Sequence, residues 1–193
     1  MVAHFSVIET DRLRIRRFRT ADAAPFLAYR SDPRVIRFQE WIEVLPEEVH
    51  AFICDLQLSE PGKPGEWFQF AVEHRADCQL IGDMALGIAV DNPHTAEIGY
   101  TLAPPYQRQG YGFEMVSALL DYAFGTFDLH RIFARVLSDN AASINLLERL
   151  GFRQEGAFRE QYWFAGAWRD EVIFAQPRPE WLKRRQQAGA PSP

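Results

Sequence analysis

The chain has 193 residues, of which 47% are hydrophobic, 24% charged and 13% aromatic. This balance excludes a chain that is mainly disordered, and the length favours one domain with a buried core. The formal net charge of -5 provides no basic field for a phosphate backbone, which excludes a dedicated nucleic-acid binder.

The sequence lacks the patterns typical of a membrane span, a signal peptide and a metal site. No apolar run reaches the roughly 18–20 residues of a membrane span, and residues 1–9 lack the layout of a signal peptide. We therefore expect a cytoplasmic protein with no membrane partner. The cysteines and histidines show no metal-ligand spacing, so we expect no metal site.

Hydrophobic periodicity in the first half predicts two early helices placed before a β-meander. The predicted elements are, in order, a strand at 12–18, helices at 20–29 and 46–56, and strands at 67–73 and 80–86. Five arginines between Arg12 and Arg19 give the first strand one charged face, which we interpret as solvated.

The second half predicts a strand, a helix and a further strand, with a connection long enough to make the two strands parallel neighbours. The predicted elements are a strand at 96–102, a helix at 113–124, a strand at 131–137, a helix from Asn140 to Gly151, and strands at 157–164 and 168–175. We expect one mixed α+β domain over residues 1–177, followed by a polar segment, 178–193, with a frayed end.

The loop between the predicted strand at 96–102 and the next helix could bind an anion. It consists of Gln107, Arg108, Gln109, Gly110, Tyr111 and Gly112. A helix N-terminus presents N–H groups without internal partners, and glycines there let a pyrophosphate approach the backbone. The loop has neither a Walker A ending nor a three-glycine dinucleotide fingerprint. The alternative is a glycine-rich turn needed only for close packing.

Several segments, taken in order, resemble the GNAT superfamily of N-acetyltransferases. They are Glu97–Leu102 followed by Pro104–Tyr106, the Gln107–Gly112 loop, Asn140–Ser143 and Leu150–Phe152. The opening Glu9–Arg16 and the closing Trp168–Glu171 resemble the branch of ribosomal-protein alanine and serine N-terminal acetyltransferases. The resemblance implies a central, twisted, mostly antiparallel sheet of six to seven strands with one splayed parallel pair, flanked by about four helices.

The resemblance also implies acetyl-coenzyme A (acetyl-CoA) in the cleft between the splayed strands. The loop N–H groups would hold its pyrophosphate, with Arg108 adding charge. The backbone of Tyr100, Thr101 and Leu102 would pair with the pantetheine arm, and Asn140 would contact that arm. For Asn140 a plain helix N-cap remains the alternative.

Two side chains are the catalytic candidates that the resemblance implies. Glu97 would collect the proton of the attacking amine, directly or through water; the alternative is a surface carboxylate. Ser143 would protonate the leaving thiolate, or would simply bond to Asn140 in the first helical turn. Many GNAT enzymes carry a tyrosine one turn later, where this chain has Leu147. A backbone N–H near Leu102 would stabilise the oxyanion.

The predicted activity is direct transfer of acetyl from acetyl-CoA to a primary amine in a ternary complex, with a protein N-terminal α-amino group as the leading acceptor. The alternatives are a small-molecule amine of aminoglycoside or polyamine type, and a non-catalytic acyl-CoA sensor. The chain could act as a monomer or a homodimer.

Six aromatic residues could wall the acceptor pocket, although we interpret them as core: Phe38, Trp41, Trp67, Tyr162, Trp163 and Trp168.

Overall fold

A computed structural model describes residues 5–39, 45–187 and 189. Its strands are β1 (Val7–Glu9), β2 (Leu13–Arg16), β3 (Trp67–His74), β4 (Leu80–Ile88), β5 (Thr95–Leu102), β6 (Arg131–Leu137), β7 (Arg153–Phe164) and β8 (Ala167–Pro177). They form one sheet in the order β1-β2-β3-β4-β5-β6-β8-β7, antiparallel except for β5 and β6. This confirms the mixed α+β class and the single parallel pair. The expected six to seven strands become eight, because β1 is too short for alternation to reveal it.

The helices are α1 (Ala23–Arg30), α2 (Pro33–Ile36), α3 (Pro46–Leu58), α4 (Tyr111–Thr126), α5 (Ala141–Leu150) and α6 (Arg178–Gln187). Six α-helices in the described ranges replace the expected four. The first addition, α2, is a single turn that begins at Pro33. The second, α6, lies in the polar C-terminal segment. Of the end expected to fray, residues 188 and 190–193 lie outside the described part of the chain.

The C-terminal helix α6 packs against the main core, and its buried side chain is Trp181. Trp181 is 4% exposed and stacks on Phe124 of α4 with ring centroids 4.9 Å apart. Its indole N–H donates to Asp121 Oδ1 at 3.1 Å. Although the sequence of α6 is polar overall, one aromatic side chain therefore anchors the helix on the core.

The two faces of the sheet are covered differently. On one face, α4 and α5 bury the even-numbered residues of β5 and β6, such as Ala96 and Ile132, in the main core. On the other face, α1 and α3 cover β3 and β4 around Ala71 in a second cluster. Odd-numbered residues of β5 and β6, such as Glu97 and Arg135, therefore lie on the face opposite α4 and α5.

The parallel pair is short and then splays. Its register covers only Thr95–Glu97 opposite Arg131–Phe133. Beyond this point β6 continues to pair with β8 as far as Leu137 opposite Glu171, while β5 continues with β4 as far as Leu102 opposite Gly82. A gap therefore opens between the C-terminal halves of β5 and β6.

None of the helices in the described ranges is long and apolar enough to cross a membrane.

Candidate active site

The gap exposes backbone polar groups along one edge of β5. The N–H of Ala103 donates to Ile81 O at 2.8 Å, which shows that the odd-numbered residues of β5 pair with β4. By alternation, Tyr100 and Leu102 direct their backbone groups towards the gap, whereas Thr101 directs its own towards β4. Such an edge can accept an extended ligand as an added strand.

The loop Gln107–Gly112 leads directly into α4. Gly110 is the N-cap and adopts a left-handed conformation with φ of 85°. The first backbone bond inside the helix is donated by Glu114 to Gly110 O at 3.1 Å. The N–H groups of residues 110–113 therefore have no acceptor within the helix, and they lie at its positive end. This geometry fits an anionic group.

Side chains within the loop hold it against the end of β5. Gln107 Nε2 donates to Leu102 O at 2.9 Å, and Gln109 Nε2 donates to Pro105 O at 2.7 Å. Arg108 is exposed and has a positive φ of 61°. The loop is thus shaped by its own glutamines, while the Arg108 side chain extends into solvent.

Arg12 contributes a contact to the loop that sequence analysis missed. Its Nη1 donates to Gln109 O at 3.0 Å, its Nη2 lies 2.7 Å from Glu114 Oε2, and its guanidinium lies 4.2 Å from the centre of the Tyr111 ring. Burial acts to raise the pKa of Glu114, but hydrogen bonds from Thr10 and Arg12 outweigh it and the pKa is lowered. Arg12 therefore fastens the loop, although its side chain is exposed as expected for a solvated face.

Glu97 lies in a cleft of about 190 Å³ on the face opposite α4 and α5, and Trp67 and Phe133 line the same cleft. Burial raises the pKa of Glu97, the nearby Arg135 opposes the rise, and the charge of Glu171 adds to it. Glu97 is therefore a partly buried carboxylate in a cleft.

The first turn of α5 holds the other two candidate residues. Asn140 caps the helix, with its Oδ1 accepting the N–H of Ser143 at 3.2 Å. Asn140 thus forms the helix N-cap that we gave as the alternative. The cap uses the Oδ1 atom of Asn140 and does not use its amide N–H groups. Ser143 Oγ lies 2.7 Å from the phenol oxygen of Tyr100. Leu147, one turn later, is fully buried in the core.

The two catalytic candidates lie on opposite sides of β5. Glu97 occupies an odd-numbered position facing the cleft, whereas Tyr100, which contacts Ser143, occupies an even-numbered position facing α5. The splayed gap lies between them. A ligand in the gap can therefore be approached by Glu97 from one side and by Ser143 from the other.

A buried polar network on the same face as Glu97 was not predicted. Its centre is Asp83 of β4, which is 1% exposed. The donors to its carboxylate include Tyr29 OH at 2.6 Å, Arg30 Nε at 3.2 Å and Gln69 Nε2 at 2.6 Å. Gln39 joins the network to β5, because it accepts from Arg30 and donates to the Thr101 hydroxyl. The network anchors α1 on the sheet beside the cleft.

The core interpretation of the aromatic residues is wrong for three of them. Trp67, Trp163 and Trp168 are 50%, 57% and 57% exposed. Trp67 lines the Glu97 cleft, while Trp163 and Trp168 pack together across the tip of the β7–β8 hairpin. Phe38 and Tyr162 are partly buried, and Trp41 lies outside the described residues.

The splayed parallel pair, the glycine-containing loop and the capped α5 agree with the family that the sequence matches. Residues 12–153 match the family described as "Acetyltransferase (GNAT) domain". The chain therefore belongs to the GNAT acetyltransferase family and is an N-acetyltransferase, which transfers an acetyl group to an amine. GNAT acetyltransferases take this group from acetyl-CoA.

Similar proteins include enzymes for both protein and small-molecule acceptors. The chain is 30% identical over 184 residues to the [Ribosomal protein uS5]-alanine N-acetyltransferase of Escherichia coli, covering 92% of this chain and 94% of that protein. It is 33% identical over 103 residues to the spermidine N(1)-acetyltransferase of Vibrio cholerae, covering 53% and 58%. A GNAT-family acetyltransferase structure from Bacillus anthracis superposes with a TM-score of 0.79 at 29% identity, covering 90% of this chain and 99% of that one.

Proposed function

We propose that the chain transfers the acetyl group of acetyl-CoA to the N-terminal α-amino group of a protein, by direct attack within a ternary complex. The observation that carries this proposal is the position of Glu97, a partly buried carboxylate in an open cleft beside the gap. The likeness to an alanine N-acetyltransferase along 92% of the chain supports a protein N-terminus as acceptor.

The described residues fit acetyl-CoA, which supplies the acetyl group as an activated thioester. In the proposal, the N–H groups of the Gln107–Gly112 loop hold the pyrophosphate, and Arg108 adds a positive charge. The backbone groups that Tyr100 directs into the gap pair with the pantetheine arm. Asn140 contributes the amide N–H groups that its cap leaves unused.

Glu97 acts as the proton acceptor in this proposal. Amine attack needs a neutral nitrogen, and the ordinary pKa is about 8 for an α-amino group and about 10.4 for a lysine side chain. Burial raises the pKa of Glu97, which makes its carboxylate a better proton acceptor for an amine. In the proposal, the Leu102 N–H stabilises the oxyanion, and Ser143 donates a hydrogen to the departing sulfur.

A polyamine acceptor is the second candidate, favoured by the spermidine enzyme among the similar proteins and by the acidic groups near the cleft. Glu66 lines the cleft together with Glu97, and Glu171 lies close enough to raise the pKa of Glu97. A cationic amine of either kind would be attracted to this face. The third candidate, an acyl-CoA sensor, would keep the loop and the gap without turnover.

The test offers the purified chain acetyl-CoA with four acceptors. These are an alanine-starting peptide that contains lysine, the same peptide with a blocked N-terminus, spermidine, and an aminoglycoside. We expect mass spectrometry to find one acetyl group on the α-amine of the first peptide and none on the blocked peptide. Acetylation of spermidine alone would replace the proposed acceptor by a polyamine. Binding of acetyl-CoA without transfer to any amine would favour the sensor.

A further inference from the structure

The proposed function uses the backbone of Tyr100 but gives no role to its side chain, which contacts Ser143. Its phenol oxygen lies 2.7 Å from Ser143 Oγ and 3.4 Å from the Ser143 carbonyl oxygen. The ring packs against the main core from the edge of the gap. Two hydroxyl groups, one from β5 and one from α5, thus meet beside the proposed site of the leaving sulfur.

Either hydroxyl could donate in the 2.7 Å hydrogen bond, and we take Tyr100 as the donor. The phenol has one hydrogen, and the hydroxyl oxygen at 2.7 Å is a far better acceptor position than the carbonyl at 3.4 Å. Burial raises the pKa of Tyr100 although its bond to Ser143 opposes the rise, so the phenol keeps its hydrogen at neutral pH. When Tyr100 donates to Ser143 Oγ, the serine hydrogen is free to point elsewhere.

We infer that Tyr100 is a positioning residue that donates to Ser143 Oγ and directs the serine hydrogen towards the sulfur of the leaving coenzyme A. This inference rests on the proposed function. A serine hydroxyl alone is a weak acid, but a hydroxyl that accepts a hydrogen bond becomes a stronger donor. Leu147 is apolar and buried one turn later on α5, so the phenol from β5 is the partner that reaches Ser143.

In the proposed step, a bond forms between the amine nitrogen and the acetyl carbon, and the carbon–sulfur bond breaks with its electron pair on sulfur. The sulfur takes the hydrogen of Ser143, and water returns a proton to Ser143 Oγ, while Tyr100 keeps its own hydrogen throughout. Glu97 removes the proton of the amine and releases it to water, which replaces the proton that Ser143 received. Atoms and charges therefore balance without a further reactant.

The experiment is a double-mutant cycle of Tyr100→Phe and Ser143→Ala, measured as single-turnover rates so that product release does not mask chemistry. Tyr100→Phe keeps the ring and removes only the hydroxyl. We expect a rate loss of about fivefold, the scale of one neutral hydrogen bond, with acetyl-CoA affinity changed less than about twofold. In the Ser143→Ala background the same substitution should add almost nothing, because its partner is already absent.

Tyr122→Phe is the matched control. The Tyr122 hydroxyl is buried with no hydrogen-bond partner in the described part of the chain, and its ring packs near Phe5 and Phe127, away from α5. We expect no change in rate. An unchanged rate in Tyr100→Phe, or losses from Tyr100→Phe and Ser143→Ala that multiply independently, would overturn the inference. Failure of the proposed function is a separate result, since the wild-type chain would then acetylate no amine.

Discussion

Arg135 Nε lies 3.6 Å from Glu97 Oε1, at the point where β5 and β6 part. The two residues are far apart in sequence. They meet because the short parallel register places Phe133, two residues before Arg135 on β6, opposite Glu97. Burial raises the pKa of Glu97, and the guanidinium limits that rise. Arg135 therefore lowers the pH at which the proposed base becomes available.

Substitution of Arg135 by glutamine should move the acidic limb of the kcat profile to higher pH. Removal of the positive charge raises the pKa of Glu97, so a higher pH is needed to ionise the carboxylate. We expect this shift to be modest, because the pair is partly exposed. Arg131→Gln, on the same strand but paired with Glu155, is the control and should not shift the limb. A shift to lower pH would contradict the assignment.

Glu97→Gln should lower kcat by roughly a hundredfold and leave acetyl-CoA affinity unchanged, since the amide cannot accept the amine proton. The ratio of wild-type to variant kcat should be largest above the pKa of Glu97. It should shrink as the pH falls through that pKa, because wild-type Glu97 is then protonated too. Steady-state kinetics and calorimetric titration with acetyl-CoA measure the two effects. Full kcat in the variant would remove Glu97 from the mechanism.

Arg12→Ala should weaken binding of coenzyme A by about fivefold. The substitution releases Gln109 O, Glu114 and the Tyr111 ring, so the loop loses the contacts that preorganise its N–H groups. Arg14→Ala is the matched control, because Arg14 pairs with Glu9 and Glu73 away from the loop. Calorimetric titration gives both dissociation constants. Equal affinities would show that the loop holds its shape without Arg12.

Asp83→Ala should destabilise the fold by about 3–5 kcal/mol, because it leaves the buried Arg30 without its carboxylate partner. Glu66→Ala removes an exposed i,i+3 partner of Lys63 and should cost less than about 0.5 kcal/mol. Urea unfolding of both variants measures the difference. A loss for Asp83→Ala as small as that for Glu66→Ala would mean that the network adds little to stability.

Local elements of the fold were accessible from the sequence because neighbouring residues determine them. The strand predicted at 131–137 is observed with the same bounds, and α5 begins after the Asn140 cap and ends at Gly151, which has a φ of 89°. Caps and left-handed glycines depend on bonds within one turn of chain. The same local chemistry indicated the loop before α4, and with it the family.

Only the tertiary structure decided which distant side chains meet. Arg16, expected in solvent, is 5% exposed between Asp22 and Glu73, at 2.6 and 2.7 Å, because β2 pairs with β3. The contacts of Arg12 with the loop and of Tyr100 with Ser143 likewise join segments more than 40 residues apart. The sequence by itself thus determined the local elements and the family, whose signals lie within short windows. Sheet register and helix packing determined the site, because they alone bring the distant segments of the chain together in space.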